Sequence, residues 1–220
     1  DNASVNLADW KTRGANALVI GSVRRLADGR FDVRFRLLDT VQQAQLDGLS
    51  YATPATDLRL TAHRIADRVY EKVLGVRGAF ATRIAYVSVD GAPPSQRYQL
   101  IVADSDGEGA RVILESRQPL MSPAWSPDGE WLAYVSFEAR ASVIYVQRLR
   151  SGERRRVSAR RGINGAPAWS PDGSRLALTL SGSGGNLDIY TLELVSQSLT
   201  RLTDDPGIDT VACGACVLLR

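Results

Sequence analysis

SPAWSPDGEWLAYVS, residues 122–136, returns as APAWSPDGSRLALTL at residues 166–180. The two copies stand 44 residues apart and share a tryptophan, Trp125 and Trp169, followed by Ser-Pro-Asp-Gly and an apolar alternation. Within the quartet, Pro127 and Pro171 fix φ at the second turn position. Asp128 and Asp172 can accept hydrogen bonds from nearby backbone amides, and Gly129 and Gly173 tolerate the positive φ that ends such a turn. Each phrase therefore predicts a chain reversal between two strands. The tryptophans precede the turn at equivalent places. They are expected to fill the gap between neighbouring sheets, at a truncation cost of about 3–5 kcal/mol each.

The repetition spreads outward from this phrase. IAYVSVD at 84–90 resembles LAYVSFE at 132–138 and LALTLSG at 176–182. LIVADSDGEGARVI at 100–113 resembles IYVQRLRSGERRRV at 144–157 and IYTLELVSQSLTRL at 189–202. Short alternating runs divided by turn residues, at a period of about 44 with roughly four strands per unit, point to propeller blades. Four-stranded antiparallel units are expected at 82–118, 119–162 and 163–210.

Residues 1–74 read differently. A short helix over 7–15 precedes strands at 17–24, 31–39 and 45–52, the first two joined by a turn at Asp28-Gly29. Phe31, Val33, Phe35 and Leu37 alternate with Asp32, Arg34 and Arg36, which gives one buried face and one wet face. Thr56 or Asp57 should cap a helix running to Leu74, stopped by Gly75. Leu58, Ala62, Ile65, Ala66, Val69, Tyr70 and Val73 fall on one stripe of that helix, which should lie on the sheet. The expected fold is an α+β domain at 1–74, a linker at 75–81, and an all-β partial propeller at 82–210 of two to three blades, ahead of an atypical tail at 211–220.

Composition narrows the functions. The chain has 220 residues, 23% of them charged, and a net charge of +3. The basic runs Arg154-Arg155-Arg156 and Arg160-Arg161 sit among turn residues beside strands. They read as a solvated face or as a site for an acidic partner. No nucleic acid is expected as a partner, and no stretch reaches the ~18 apolar residues of a membrane span. Cys213 and Cys216 are spaced as a redox or zinc half-site, but the sole histidine, His63, belongs to the other domain. Asp104-Ser105-Asp106-Gly107-Glu108-Gly109, with Glu115 further on, approaches a calcium loop, yet its flanks are strands, its fifth position is Glu108 and its eighth is Arg111 where an apolar residue is usual, so a hairpin turn is expected. Neither a nucleophile-elbow motif nor a glycine-rich phosphate loop is present. No catalytic residue, metal site or cofactor is predicted.

The two WSPDG turns resemble the repeat of TolB-type six-bladed propellers, a repeat also found in propellers of prolyl-oligopeptidase-like enzymes. LADWKTRGANALVIGSV at 7–23, YEKVLGVRGAFATRIAYVS at 70–88 and QPLMSPAWSPDGEWLAYVSFE at 118–138 resemble the corresponding parts of the TolB family itself. The resemblance implies a non-enzymatic periplasmic adaptor of the Tol–Pal system that binds the lipoprotein Pal and the protein TolA, keeps the outer membrane intact and constricts it at division. It also implies that loops entering the innermost strand of each blade face Pal: Leu120, Met121 and Ser122 in one, and Ile163, Asn164, Gly165 and Ala166 in the next. The family often has His where Ile163 stands. The family's signal peptide, TolA-binding segment, first strand and helix, and later blades have no counterpart here, so a partial, non-functional fragment is expected. The alternative is the propeller of a prolyl-oligopeptidase-like serine peptidase without its hydrolase domain.

Overall fold

The computed structural model describes residues 5–182 and 184–210. The expected tail at 211–220, with Cys213 and Cys216, lies outside the described residues. The chain divides into two compact units, Asp1–Ala81 and Thr82–Arg220.

The first unit begins with α1 (Leu7–Thr12), capped where the Asn6 side chain accepts from the Ala8 amide. Strands β1 (Ala17–Arg25), β2 (Phe31–Asp39) and β3 (Ala44–Thr53) follow as an antiparallel sheet in that order. Val33, Phe35 and Leu37 are buried on one face of β2. The long helix α2 (Leu58–Leu74) lies against β2 and β3. Two polar contacts fix it there. Arg68 makes a two-pronged pair with Asp47, at 2.7 and 3.2 Å, and Thr61 donates to the Thr53 hydroxyl at 3.1 Å. The Arg68 hydrogen bond holds the Asp47 carboxyl below its ordinary range.

Three expectations for this unit need correction. The face opposite the helix is not uniformly wet, because Asp32 is buried there, hydrogen-bonded by Ser50 and Arg34. No side chain caps α2: a 3-10 turn over Ala55–Asp57 leads into it, and the Asp57 carboxylate instead accepts from the Thr56 hydroxyl. The apolar stripe is also only partly covered. Val73 is 48% exposed, and Val19 and Val23 of β1, which the register sets opposite Leu37 and Val33, are 47% and 62% exposed. Gly75 ends α2 at φ +71°, as the sequence requires. Beyond it, the Asp67 carboxylate accepts from the Phe80 and Ala81 amides, which ties residues 75–81 back onto the helix.

Among the described residues, the second unit is all β, with three antiparallel sheets. The first holds β4 (Arg83–Asp90), β5 (Arg97–Asp104) and β6 (Arg111–Ser116). The second holds β7 (Leu120–Trp125), β8 (Trp131–Ser136), β9 (Val143–Arg148) and β10 (Arg154–Ser158). The third holds β11 (Asn164–Trp169), β12 (Arg175–Ser181), β13 (Leu187–Glu193) and β14 (Leu199–Arg201). The unit expected at 82–118 thus has three strands, not four. The missing member is the counterpart of β7 and β11. Those strands each run into a Ser-Pro-Asp-Gly turn, whereas 44 residues before Ser126 stands Thr82 with no such turn after it. The run Arg154–Arg156 also differs from expectation, lying inside β10 rather than in a turn.

The sheets stack in sequence and bury two successive cores. Leu100 and Val102 of the first sheet pack with Leu120, Leu132 and Tyr134 of the second. Ala133, Val135, Ile144 and Val146, on the opposite face of the second sheet, pack with Leu176, Leu178, Leu180 and Leu192 of the third. The middle sheet is therefore apolar on both faces, as a blade between neighbours must be. Trp125 joins the first core and Trp169 the second.

The repeated turn is closed by its serine. Gly129 donates to the Ser126 carbonyl and Gly173 to the Ser170 carbonyl, both at 2.9 Å. The hydroxyl of Ser126 donates to Asp128 at 2.5 Å and accepts from the Trp131 amide at 2.9 Å. Ser170 does the same with Asp172 at 2.6 Å and the Arg175 amide at 3.0 Å. The aspartates then accept from the Glu130 and Ser174 amides. The near-calcium loop is the β5–β6 hairpin, where Asp104 and Glu108 pair main chain to main chain at 2.9 Å and Gly107 takes φ +86°.

Candidate functional site

β7 and β11 are the first strands of adjacent sheets and lie beside each other. Their opening residues form two loops of one design. Pro119 accepts from the Phe137 amide at 3.0 Å, and Ile163, 44 residues later, accepts from the Ser181 amide at 3.0 Å. Each strand then bulges, between Met121 and Ala124 and between Gly165 and Ala168. At the bulges Ser122 takes φ +50° and Ala166 φ +45°. A non-glycine residue in this left-handed region costs about 1–2 kcal/mol, and here it does so twice, at matching positions and directly ahead of a proline. Bulges and strained backbone of this kind concentrate where a strand must re-aim its side chains.

Ahead of the bulge, strand alternation sorts the residues that the sequence singled out. Leu120 and Asn164, at matching positions, point inward and are buried. Met121 and Ile163 point out, each 51% exposed. Ser122 is exposed, while Gly165 and Ala166 are half-buried. Two exposed apolar side chains thus stand at the openings of neighbouring blades on rigid strand ends.

Asn164 holds its loop in place. Its amide donates to the Ser142 hydroxyl at 2.8 Å, and its side-chain oxygen accepts from the Ser158 hydroxyl at 2.7 Å and the Arg160 amide at 3.0 Å. Its side-chain nitrogen donates to the Arg160 and Gly162 carbonyls, at 2.7 and 3.3 Å. Ser142 and Ser158 belong to the preceding blade, so this network joins blade to blade. Sequence reasoning missed both serines. The substitution of Asn164 for Leu120 at equivalent positions was the available signal, because a polar residue in an apolar slot demands partners.

Other polar groups also cross between blades. The Trp169 indole donates to the Ala124 carbonyl at 3.1 Å. Arg83, half-buried, lies 4.8 Å from the Trp125 ring centre and donates to the Gly129 carbonyl at 2.9 Å. Burial, chiefly, lowers the Arg83 guanidinium from its usual value. Tyr134 is fully buried and donates to Gln147, which donates in turn to the Ile113 carbonyl of the first sheet. Burial drives the Tyr134 phenol upward, so it stays a neutral donor.

His63 is half-buried on α2. An open groove of about 510 Å³ in the first unit lies over the polar sheet face, lined by Ile20, Ser22, Arg34, Arg36 and Ser50 among others. It includes none of the loop residues of the second unit.

Stacked four-stranded antiparallel sheets with an aromatic and a Ser-Pro-Asp-Gly turn repeated between them define a WSPDG-type β-propeller, present here as an arc. Residues 70–213 match the family model described as the TolB beta propeller domain, and residues 1–46 match the TolB amino-terminal domain. The chain belongs to the TolB family. It is 55% identical over 161 residues to the Tol-Pal system protein TolB of Albidiferax ferrireducens, covering 73% of this chain and 37% of that protein. With the TolB of Polaromonas naphthalenivorans it shares 54% identity over 166 residues, which is 76% of this chain and 38% of the relative. The crystal structure of TolB from Acinetobacter baumannii superposes with a TM-score of 0.86 at 40% identity, over 94% of this chain and 51% of that one. The chain therefore spans well under half the length of these sequence relatives.

Proposed function

We propose that this chain carries part of a non-enzymatic periplasmic adaptor of the Tol–Pal system. Its propeller loops, Leu120–Ser122 and Ile163–Ala166, bind Pal, and the adaptor engages TolA through the N-terminal segment of the family. In that role it maintains the outer membrane and helps constrict it during division. The observation that carries the reading is the paired bulge, in which Ser122 and Ala166 adopt the same costly backbone at matching positions, with exposed Met121 and Ile163 on the strand openings that lead into it. Exposed apolar side chains on pre-organised strand ends suit protein binding, since little freedom is lost on contact. Membership of a family whose relatives are named for the Tol–Pal system supplies the partner class.

A pull-down tests the reading. Immobilised chain should retain purified Pal at micromolar concentration, and Met121→Asp with Ile163→Asp should abolish retention while thermal unfolding is unchanged. No retention by the unaltered chain, or equal retention by the double variant, counts against it.

A further inference from the structure

The outer edge of the second sheet carries a concentrated charge. From Phe137 to Gly162 the sequence places eight arginines against two glutamates, whereas the whole chain carries only +3. At the centre of this stretch is β10, the terminal strand in the order β10-β9-β8-β7. One of its edges pairs with β9, and the other has no strand beside it among the described residues.

The pairing shows which groups that open edge offers. The Arg148 amide donates to the Glu153 carbonyl at 2.8 Å, and Arg155 stands opposite Val146. Antiparallel ladders turn alternate residues toward the partner, so Glu153 and Arg155 face β9, and Arg154 and Arg156 aim their amides and carbonyls outward. Side chains alternate as well, setting Arg154 and Arg156 on one face of the sheet and Arg155 on the other. Their support is aromatic. Arg154 lies 3.7 Å from the Tyr145 ring centre and pairs with Glu138 at 2.5 Å. Arg155 rests 5.4 Å from the Trp131 ring, with Arg148 at 5.7 Å from the same ring. Arg155, Arg156, Arg160 and Arg161 are exposed, and among the described residues no carboxylate lies within ion-pair distance of them.

We propose that the β10 edge accepts an extended acidic segment of a protein partner as an added strand. The partner's main chain pairs with the outward groups of Arg154 and Arg156. Its carboxylates, alternating between faces, meet Arg156 on one side and Arg155 on the other, and acidic residues beyond the paired stretch reach Arg160 and Arg161. Strand addition draws its affinity from such main-chain bonds and its specificity from the flanking side chains. A flat anionic lipid surface fits less well, because cations that straddle an edge cannot all meet one plane. The bulge between Arg156 and Ser158 limits the docked strand to a short register.

A fluorescent threonine peptide with consecutive glutamates at its centre, whose carboxylates fall on opposite faces of an extended strand, tests this by anisotropy at low salt, alongside phosphatidylglycerol vesicles. Saturable peptide binding is expected, weakened at least about tenfold by R155E/R156E, with amide exchange at Arg154 and Arg156 slowed by the peptide. Circular dichroism verifies that the double variant keeps its fold. If that variant unfolds, the exchange measurement on the unaltered chain decides alone. The proposal is overturned by absence of peptide binding, which leaves the arginines as guards against edge-to-edge association. It is also overturned by binding that survives charge reversal, by binding to vesicles without binding to peptide, or by slowed exchange confined to 163–166.

Discussion

The indole N–H of Trp169 donates to the carbonyl of Ala124 across 3.1 Å, and so hydrogen-bonds one blade to the blade before it. The side chain that fills the space between sheets also gives a main-chain carbonyl of the neighbouring blade a second hydrogen bond, since Ala124 is already paired in register with Ala133. Trp169→Phe keeps an aromatic filler but removes that hydrogen bond, and should lower unfolding free energy by about 1 kcal/mol. Trp169→Ala adds a cavity and should cost about 3–5 kcal/mol. Urea titration followed by circular dichroism separates the two.

The turn glycines make a second prediction. Gly173 sits at φ +72°, and an added Cβ would stand 3.7 Å from the Pro127 ring of the neighbouring turn, an ordinary contact. Space is available, so Gly173→Ala should cost only the left-handed backbone penalty, about 1–2 kcal/mol. Gly173→Asn should cost less. Equal losses for the two variants would show that packing, not backbone, decides the position.

Acid should loosen the turns. Hydrogen bonds from the Ser170 hydroxyl, then from the Ser174 amide and hydroxyl, lower the Asp172 carboxyl to about 2, against an ordinary value of 3.8. At Asp128 burial pushes upward, but the Ser126 hydroxyl and the Glu130 amide outweigh it and the carboxyl ends below the usual range. Because the folded values lie below the unfolded ones, the stabilisation is present above about pH 4 and is lost as pH falls from there through about 2. Asp172→Asn should flatten the dependence of stability on pH between 5 and 2. An unchanged slope would contradict it.

Asn164 gives a fourth prediction. Asn164→Ala orphans the buried Ser158 hydroxyl and the Arg160 amide, and should cost about 1–3 kcal/mol. It should also release the Ile163 loop, visible as faster amide exchange at 160–166. A loss of stability without faster exchange would mean that the loop is held by other bonds.

Much of this was legible in the sequence. The interval between Trp125 and Trp169 gave the period, and proline and glycine gave the turn, because both constraints are local and residue-specific. What stayed hidden depended on neighbours distant in the chain. Nothing local to Ser126 reveals that its hydroxyl closes the turn, and nothing near Arg83 reveals that it stacks on Trp125. The fourth strand of the first blade was over-read, since a period of about 44 implies a full unit even where the turn phrase is absent. The uncovered Val19 and Val23 were missed for a related reason: alternation shows which face is apolar, not how far a helix extends across it. At the candidate site, the loops could be located by register, but that Asn164 is the buried member and Ile163 the exposed one depended on its distant partners Ser142 and Ser158.

Amide-resonance mapping of the labelled chain titrated with unlabelled Pal tests the central claim most directly. Shifts and broadening confined to 119–122 and 163–166, with the amides of α2 and β1–β3 undisturbed, are the predicted result. Saturating Pal that leaves those two loops unmoved, or that perturbs only residues elsewhere, would contradict it.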